Sequence, residues 1–72
     1  MSQEIENLMA VIKSYARQKS LSFLEFVDYC IYPETISEWH AEGLSTTAMK
    51  RKVDEKYEAY NELHKLVFSS LA

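Results

Sequence analysis

The residues best suited to catalysis or metal binding are one cysteine and two histidines, Cys30, His40 and His64. A thiol beside an imidazole can act as a nucleophile with its base, and the three side chains together could bind zinc. None of the spacings C-x-x-C, H-E-x-x-H and Glu-x-x-His occurs, and a single glycine excludes a glycine-rich phosphate loop. We therefore expect no enzymatic activity, no metal and no cofactor, and we interpret Cys30 as a buried residue of a helix.

Acidic residues dominate the middle of the chain. Between Ser20 and Leu44 the sequence contains five carboxylates and no lysine or arginine. Glu34, Glu38 and Glu42 are spaced so that they would form one stripe on a helix. Such a stripe is usually a solvated surface, and it can also complement a basic partner. The candidate partner-binding residues are Glu34, Ser37, Glu38, Trp39 and Glu42.

Basic residues collect on both sides of this acidic segment. Lysine and arginine supply much of the affinity of a protein for nucleic acid. Basic residues late in a helix also stabilise its dipole, so ordinary solvated faces are the alternative interpretation, and the sequence leaves both open. The candidate phosphate contacts are Lys13, Arg17, Lys50, Arg51 and Lys52.

The composition predicts an all-α fold. The chain has 72 residues, of which 47% are hydrophobic, and it contains only one glycine and one proline. Few turn residues and many helix-forming ones, such as glutamate, lysine, alanine and leucine, argue against strands and hairpins. We expect one helical domain over residues 1–72, with a core that is marginal without a staple or a partner.

The cysteine content and the hydropathy indicate a compartment. A single cysteine cannot form an internal disulfide, which favours a reducing environment. The longest unbroken apolar run, Leu8 to Ile12, is too short to cross a membrane, and Glu4 and Glu6 do not fit a signal peptide. We expect a cytoplasmic protein that does not contact membranes.

Two helices are predicted before the proline. Apolar residues recur at helical spacing over residues 2–19, which predicts helix 1. The segment Ser22 to Glu25 matches a capping box, so helix 2 is predicted to begin at Phe23. It should end near Tyr32, because Pro33 disfavours helical geometry at the residue before it.

A short third helix should follow. Pro33 suits the first position of a helix that ends near Ala41, and Gly43 suits a left-handed cap just past that end. Ile36 and Trp39 lie at the spacing of an inner face, so we expect the indole to be buried.

The last segment, Thr46 to Leu71, is predicted to form one long helix with an apolar stripe. Such a helix would be about 39 Å long, while a domain of this size is roughly 29 Å across. It must either break near its middle or extend past the core, and we favour extension with a second copy packed on the stripe. The predicted homodimer seam consists of Tyr57, Tyr60, His64, Val67 and Leu71.

The segment from Lys19 to Leu44 carries a further pattern. It has Leu21-Ser22 at the start of one helix, Phe26 and Val27 as the buried pair of that helix, Thr35-Ile36 and Trp39 in the next helix, and Gly43-Leu44 after it. This pattern, about a third of the chain, resembles the helix-turn-helix of small bacterial and phage repressors and excisionases. The turn here lacks the glycine that the family normally carries. The resemblance implies a DNA-binding regulator whose second helix enters the major groove.

The charge of this segment changes the function that we expect. Phosphates repel carboxylates, and the helix that would read DNA offers mainly glutamates. We therefore expect a small non-enzymatic regulatory protein that contacts a protein partner through the acidic stripe, as a homodimer. The alternative is a helix-turn-helix DNA-binding transcriptional regulator, or an excisionase-like factor of a phage or mobile element.

Overall fold

The computed structural model describes the backbone of residues 2–71 and the side chains of residues 2–67 and 69. This part of the chain forms four α-helices and no strands, which confirms the all-α class. The helices are α1 (Gln3–Lys19), α2 (Leu21–Cys30), α3 (Pro33–Ala41) and α4 (Thr46–Leu71). Apart from α2, these bounds agree with those predicted, and Ser2 caps α1 by accepting a hydrogen bond from the Ile5 N–H.

Ser20 both ends α1 and begins α2. Its backbone N–H donates to the Ala16 carbonyl at 3.1 Å, and its hydroxyl accepts from the Phe23 N–H at 3.0 Å. The predicted start of α2 at Phe23, with Ser22 in a capping box, is therefore wrong. The chain turns at the extended backbone of Ser20 alone, so Ser22 lies inside the first helical turn and cannot act as the cap.

The connection between α2 and α3 is extended. α2 ends at Cys30, two residues before the predicted end at Tyr32. Ile31 and Tyr32 have ψ angles of 110° and 155°. Pro33 requires this geometry of the residue before it and is itself the first residue of α3, as predicted. Ile31 is buried, so even this short connection contributes to the core.

A glycine in the left-handed backbone conformation follows the end of α3, as predicted. Gly43 has a φ of +86°, a conformation that glycine adopts without steric cost. The N–H groups of Gly43 and Leu44 donate to the carbonyls of His40 and Trp39 at 3.0 and 3.1 Å. This pair of bonds is a Schellman motif, which satisfies the last carbonyls of α3. Ser45 then caps α4.

The core lies around α1, which contacts each of the other three helices. No polar or charged side chain in the described part of the chain is buried, so the interior is held by apolar packing. The buried side chains are Ile5, Ile12 and Ala16 of α1, Phe23, Phe26 and Val27 of α2, Ile31 of the connection, Ile36 and Trp39 of α3, and Met49 and Val53 of α4.

The last helix is unbroken and extends beyond the other three. The molecule measures 45 × 23 × 21 Å along its principal axes. Met49 and Val53 in the first half of α4 are fully buried, whereas no described side chain after Val53 is buried. The helix therefore extends past the core, as we favoured from the sequence. None of the helices, within the described residues, is both long and apolar enough to cross a membrane.

The cap at Ser20 can be tested against its neighbour. We expect Ser20→Ala to lower the free energy of unfolding by about 1 kcal/mol, because the Phe23 N–H loses its acceptor. Ser22→Ala, a matched control inside the helix, should change it by less than about 0.5 kcal/mol. Urea denaturation followed by circular dichroism measures both. A larger loss for Ser22→Ala than for Ser20→Ala would contradict this assignment of the cap.

Candidate functional site

The outer surface of α3 is acidic. Glu34, Ser37 and Glu38 lie on the side of this helix that faces away from the core, Glu42 follows as the exposed C-cap residue, and we call these four residues the acidic face. Trp39, which the sequence grouped with them, is only 7% exposed. It belongs to the core, as its spacing with Ile36 predicted, and so it is removed from the residues that could contact a partner.

The packing of α3 holds the acidic face in place. Ile36 is fully buried, and Trp39 lies beside it in the same core. The two side chains attach α3 to α1, which the helix contacts. The glutamates therefore project from a helix that is fixed at its inner side and capped at its end. A surface that is ordered before binding loses less conformational entropy when it meets a partner.

The start of α1 extends the acidic face. Glu4 Oε1 lies 3.1 Å from Nε2 of His40, which is on α3. A shallow groove of about 510 Å³ separates the two helices, and it is lined by Ser2, Ile5, Pro33, Glu34, Ser37 and Glu38. Two carboxylates and two hydroxyls line this groove beside an apolar floor, an arrangement that suits the head and the methylene stem of a lysine or arginine.

One lysine at the end of α1 and one lysine at the start of α4 both lie against the ring of Tyr15. The Nζ atoms of Lys19 and Lys50 lie 5.6 and 5.4 Å from the centre of the Tyr15 ring. The Tyr15 hydroxyl donates to the Asp54 carboxylate, with oxygen distances of 2.7 and 2.8 Å. Asp54 lies 39 residues after Tyr15, and nothing in the sequence indicated this pairing. The end of α1 and the start of α4 therefore form one mixed but mainly basic surface.

The other predicted phosphate contacts are placed differently. Lys13 lies 3.5 Å from Asp28 on α2, so its charge is already paired within the chain. Arg17, Arg51 and Lys52 are exposed. Of the candidate phosphate contacts, Lys50 of α4 is the one that lies against the Tyr15 ring together with Lys19 of α1.

The environment of Tyr15 raises the pKa of its phenol above the usual value of 10.0. Partial burial is the larger cause, because it disfavours the phenolate. The hydrogen bond to Asp54 and the charge of that carboxylate raise the pKa further, while Lys19 acts in the opposite direction. Tyr15 is thus a structural link between α1 and α4, held in its neutral form.

The residues of the predicted homodimer seam divide between core and surface. Tyr57 is half-buried, with its ring centre 4.5 Å from that of Phe23, so it mainly completes the core of its own chain. Tyr60 touches Phe26 at 5.2 Å between ring centres and stacks on His64 at 5.7 Å. Val67 is 51% exposed. The side chain of Leu71 lies outside the described residues.

A groove between α2 and α4 is a feature that the sequence did not predict. It has a volume of about 470 Å³ and is lined by Ser22, Glu25, Phe26, Tyr29, Cys30, Tyr57, Tyr60, Asn61 and His64. Cys30 is exposed on its wall, so the prediction of a buried cysteine is wrong. The reason is that the C-terminal half of α2 borders an open groove rather than another helix.

The three residues best suited to catalysis or metal binding do not lie together. Cys30 and His64 line the groove between α2 and α4, whereas His40 lies beside Glu4 at the start of α1. Among the described residues, no group of three or more histidines, cysteines and carboxylates is placed to hold a metal ion.

No protein-family model, curated protein or solved structure matches the chain.

The Tyr15–Asp54 pair predicts a pH dependence. Burial of the phenol and then the Asp54 carboxylate make the folded state hold the phenolic proton more tightly than the unfolded chain does. The resulting stabilisation is present below about pH 10 and is lost as the pH rises through the raised pKa. The difference between ultraviolet titrations of the wild type and Tyr15→Phe should show a phenol with a midpoint above 10.0. Asp54→Asn should lower that midpoint. A midpoint that Asp54→Asn leaves unchanged would exclude the carboxylate as a cause.

Proposed function

We propose that this protein is a non-enzymatic regulator that binds a basic surface of a protein partner through the acidic face of α3. The observation that carries the proposal is that α3 is anchored by Ile36 and Trp39 while its outer side carries Glu34, Glu38 and Glu42. The face is rigid, prominent and of one sign, and Glu4 adds a fourth carboxylate beside it.

The distribution of charge supports a basic partner. The lysines and arginines of the chain all lie outside residues 20–44, so no lysine or arginine of this segment neutralises the acidic face. Opposite potentials accelerate association and select the partner, whereas a like charge in the contact costs several kcal/mol. A protein surface that binds nucleic acid is basic and so has the required charge. We expect the partner to present such a surface. We place this action in the cytoplasm and in a homodimeric protein.

The acidic face can be tested with a charge-matched control. Glu34→Lys/Glu38→Lys and Glu58→Lys/Glu62→Lys each change two glutamates at a spacing of four, and each moves the net charge from −3 to +1. The probe is a fluorescent helical peptide rich in lysine and alanine, measured by anisotropy. We expect the α3 variant to weaken binding by about tenfold or more, a loss of about 1.4 kcal/mol, and the α4 variant to weaken it much less.

The same pair of variants serves for partner capture from a lysate. Proteins that are retained by the wild type and by the α4 variant, but are not retained by the α3 variant, are partners of the acidic face. Equal failure of both variants to retain them would mean that only net charge matters. Unchanged binding by the α3 variant would remove the acidic face as the docking surface.

The second candidate is the helix-turn-helix DNA-binding regulator, and the convergence of Lys19 and Lys50 at Tyr15 favours it. Phosphate contacts would then come from the α1–α4 side, because α3 offers carboxylates. This candidate predicts binding to random-sequence duplex DNA that falls steeply as the salt concentration rises.

Substitution of the basic surface separates the two candidates. If DNA is bound, Lys50→Ala/Arg51→Ala should weaken the binding and reduce the slope of log affinity against log salt by about one for each phosphate that is no longer neutralised. Lys65→Ala, at an exposed lysine on the far half of α4, is the control. Absence of binding by the wild type at low salt would dismiss this candidate and leave protein docking.

A further inference from the structure

One apolar face runs along α4 as far as Val67, the last residue of that face with a described side chain, and only its first half is covered. Met49 and Val53 are fully buried under the other helices, and Tyr57 is half-buried. Further along the same face, Tyr60 is 45% and Val67 51% exposed. We call residues 60–71 the overhang. It continues the core side of α4 into solvent.

The spacing of the residues on this face indicates that a helix would cover it. The residues at positions 53, 57, 60, 64, 67 and 71 are separated alternately by four and three, a heptad spacing that is typical of a helix packed along another helix. The charged residues of this half of α4, Glu58, Glu62 and Lys65, fall on the other sides of the helix at about 100° per residue. The cover should therefore be a helix that also presents an uncharged face.

The groove between α2 and α4 lies beside the overhang and shares residues with it. Tyr60 and His64 form one wall, and Phe26, Tyr29 and Cys30 form the other. Its volume of about 470 Å³ is open to solvent, and Tyr29 on its wall is highly exposed. The chain thus carries both a protruding helix and a groove next to it.

We propose that a second copy of this chain fills both, with the two overhangs packed antiparallel so that each lies along the groove of the other. A parallel pair would bring both sets of α1 to α3 to the same end of the overhangs, where they would compete for space. An antiparallel pair places them at opposite ends and closes under two-fold symmetry. The proposal rests on the proposed function only for the homodimer, and it does not depend on docking through the acidic face, because α3 is not part of this contact.

The charges of the chain are compatible with a second copy as the occupant. Among the described residues that line the groove, Glu25 is the one with a charged side chain, and Lys65 is the only lysine or arginine after Lys56 in the sequence. Residues 60–71 contain Glu62 and Lys65 and so have no net charge, which means that Glu25 would not repel the overhang of a second copy.

The first experiment is sedimentation of the full chain with two variants that differ in position alone. Val67→Glu places a charge on the covered face, and Leu66→Glu places the same charge roughly 100° around the helix. We expect the wild type and Leu66→Glu to be dimers with a dissociation constant of about 1 μM or tighter, and Val67→Glu to dissociate at least about tenfold more readily. Circular dichroism checks that the variants are folded.

The accessibility of the single cysteine tests the dimer in the wild-type protein, without any substitution. Cys30 is exposed on the groove wall of one copy, and a partner overhang would cover it. The rate of maleimide labelling of the wild type should fall about tenfold from dilute to concentrated protein, as the fraction of monomer falls.

Three results would overturn the proposal. The first is a wild type that stays monomeric at tens of micromolar, which would assign the overhang to a different protein. The second is equal dissociation of the Val67→Glu and Leu66→Glu variants. The third is a dimer in which Cys30 labels as fast as in the monomer, because the groove would then be empty.

Discussion

The apolar face of α1 is the surface against which the other three helices pack. Ile5, Ile12 and Ala16 are buried on it, and α2, α3 and α4 all contact this helix. Because no described polar side chain is buried, hydrophobic burial at this face is what organises the interior. The caps at Ser20 and Gly43 only direct the chain from one helix to the next, so that each returns to α1.

Aromatic rings connect this core to the protruding end of α4. Contacts run from Tyr15 to Phe23 at 5.9 Å, from Phe23 to Tyr57 at 4.5 Å, and onward through Phe26 and Tyr60 to His64. Phe23 and Phe26 are buried, whereas Tyr60 and His64 on the overhang are exposed. The proposed dimer would complete this series of contacts, since the second copy would cover the rings that the small body of a 72-residue chain cannot.

The charges are separated because the helices are packed in this way. The inner side of α3 is used by Ile36 and Trp39, which leaves its glutamates together on the outside. Across the molecule, Lys19 and Lys50 meet at Tyr15, where Asp54 accepts the hydrogen bond of the phenol. An acidic surface and a mainly basic surface are thus held on different helices. The proposed protein docking uses the first and the DNA-binding alternative uses the second.

Much of the fold could be read from the chain because its signals are local. Helical periodicity, Pro33 at the start of α3 and Gly43 after its end depend on residues within one or two turns, and the bounds of α1, α3 and α4 follow from them. The buried state of Trp39 followed from its spacing with Ile36. The start of α2 was predicted incorrectly because both Ser20 and Ser22 are candidate N-cap residues. Only the direction in which the chain returns to α1 selects Ser20 over Ser22.

The pairing of distant residues required the tertiary structure. Tyr15 and Asp54, Lys13 and Asp28, and Glu4 and His40 meet only after the helices have packed, and no local pattern encodes those distances. The exposure of Cys30 likewise depends on how far α2 diverges from α4 to leave a groove. The sequence therefore determined the helices, the stripe on α4 and the acidic character of α3, because these are properties of neighbours along the chain. Packing decided which charges are paired and which apolar residues stay uncovered, because these depend on what each helix face meets in space.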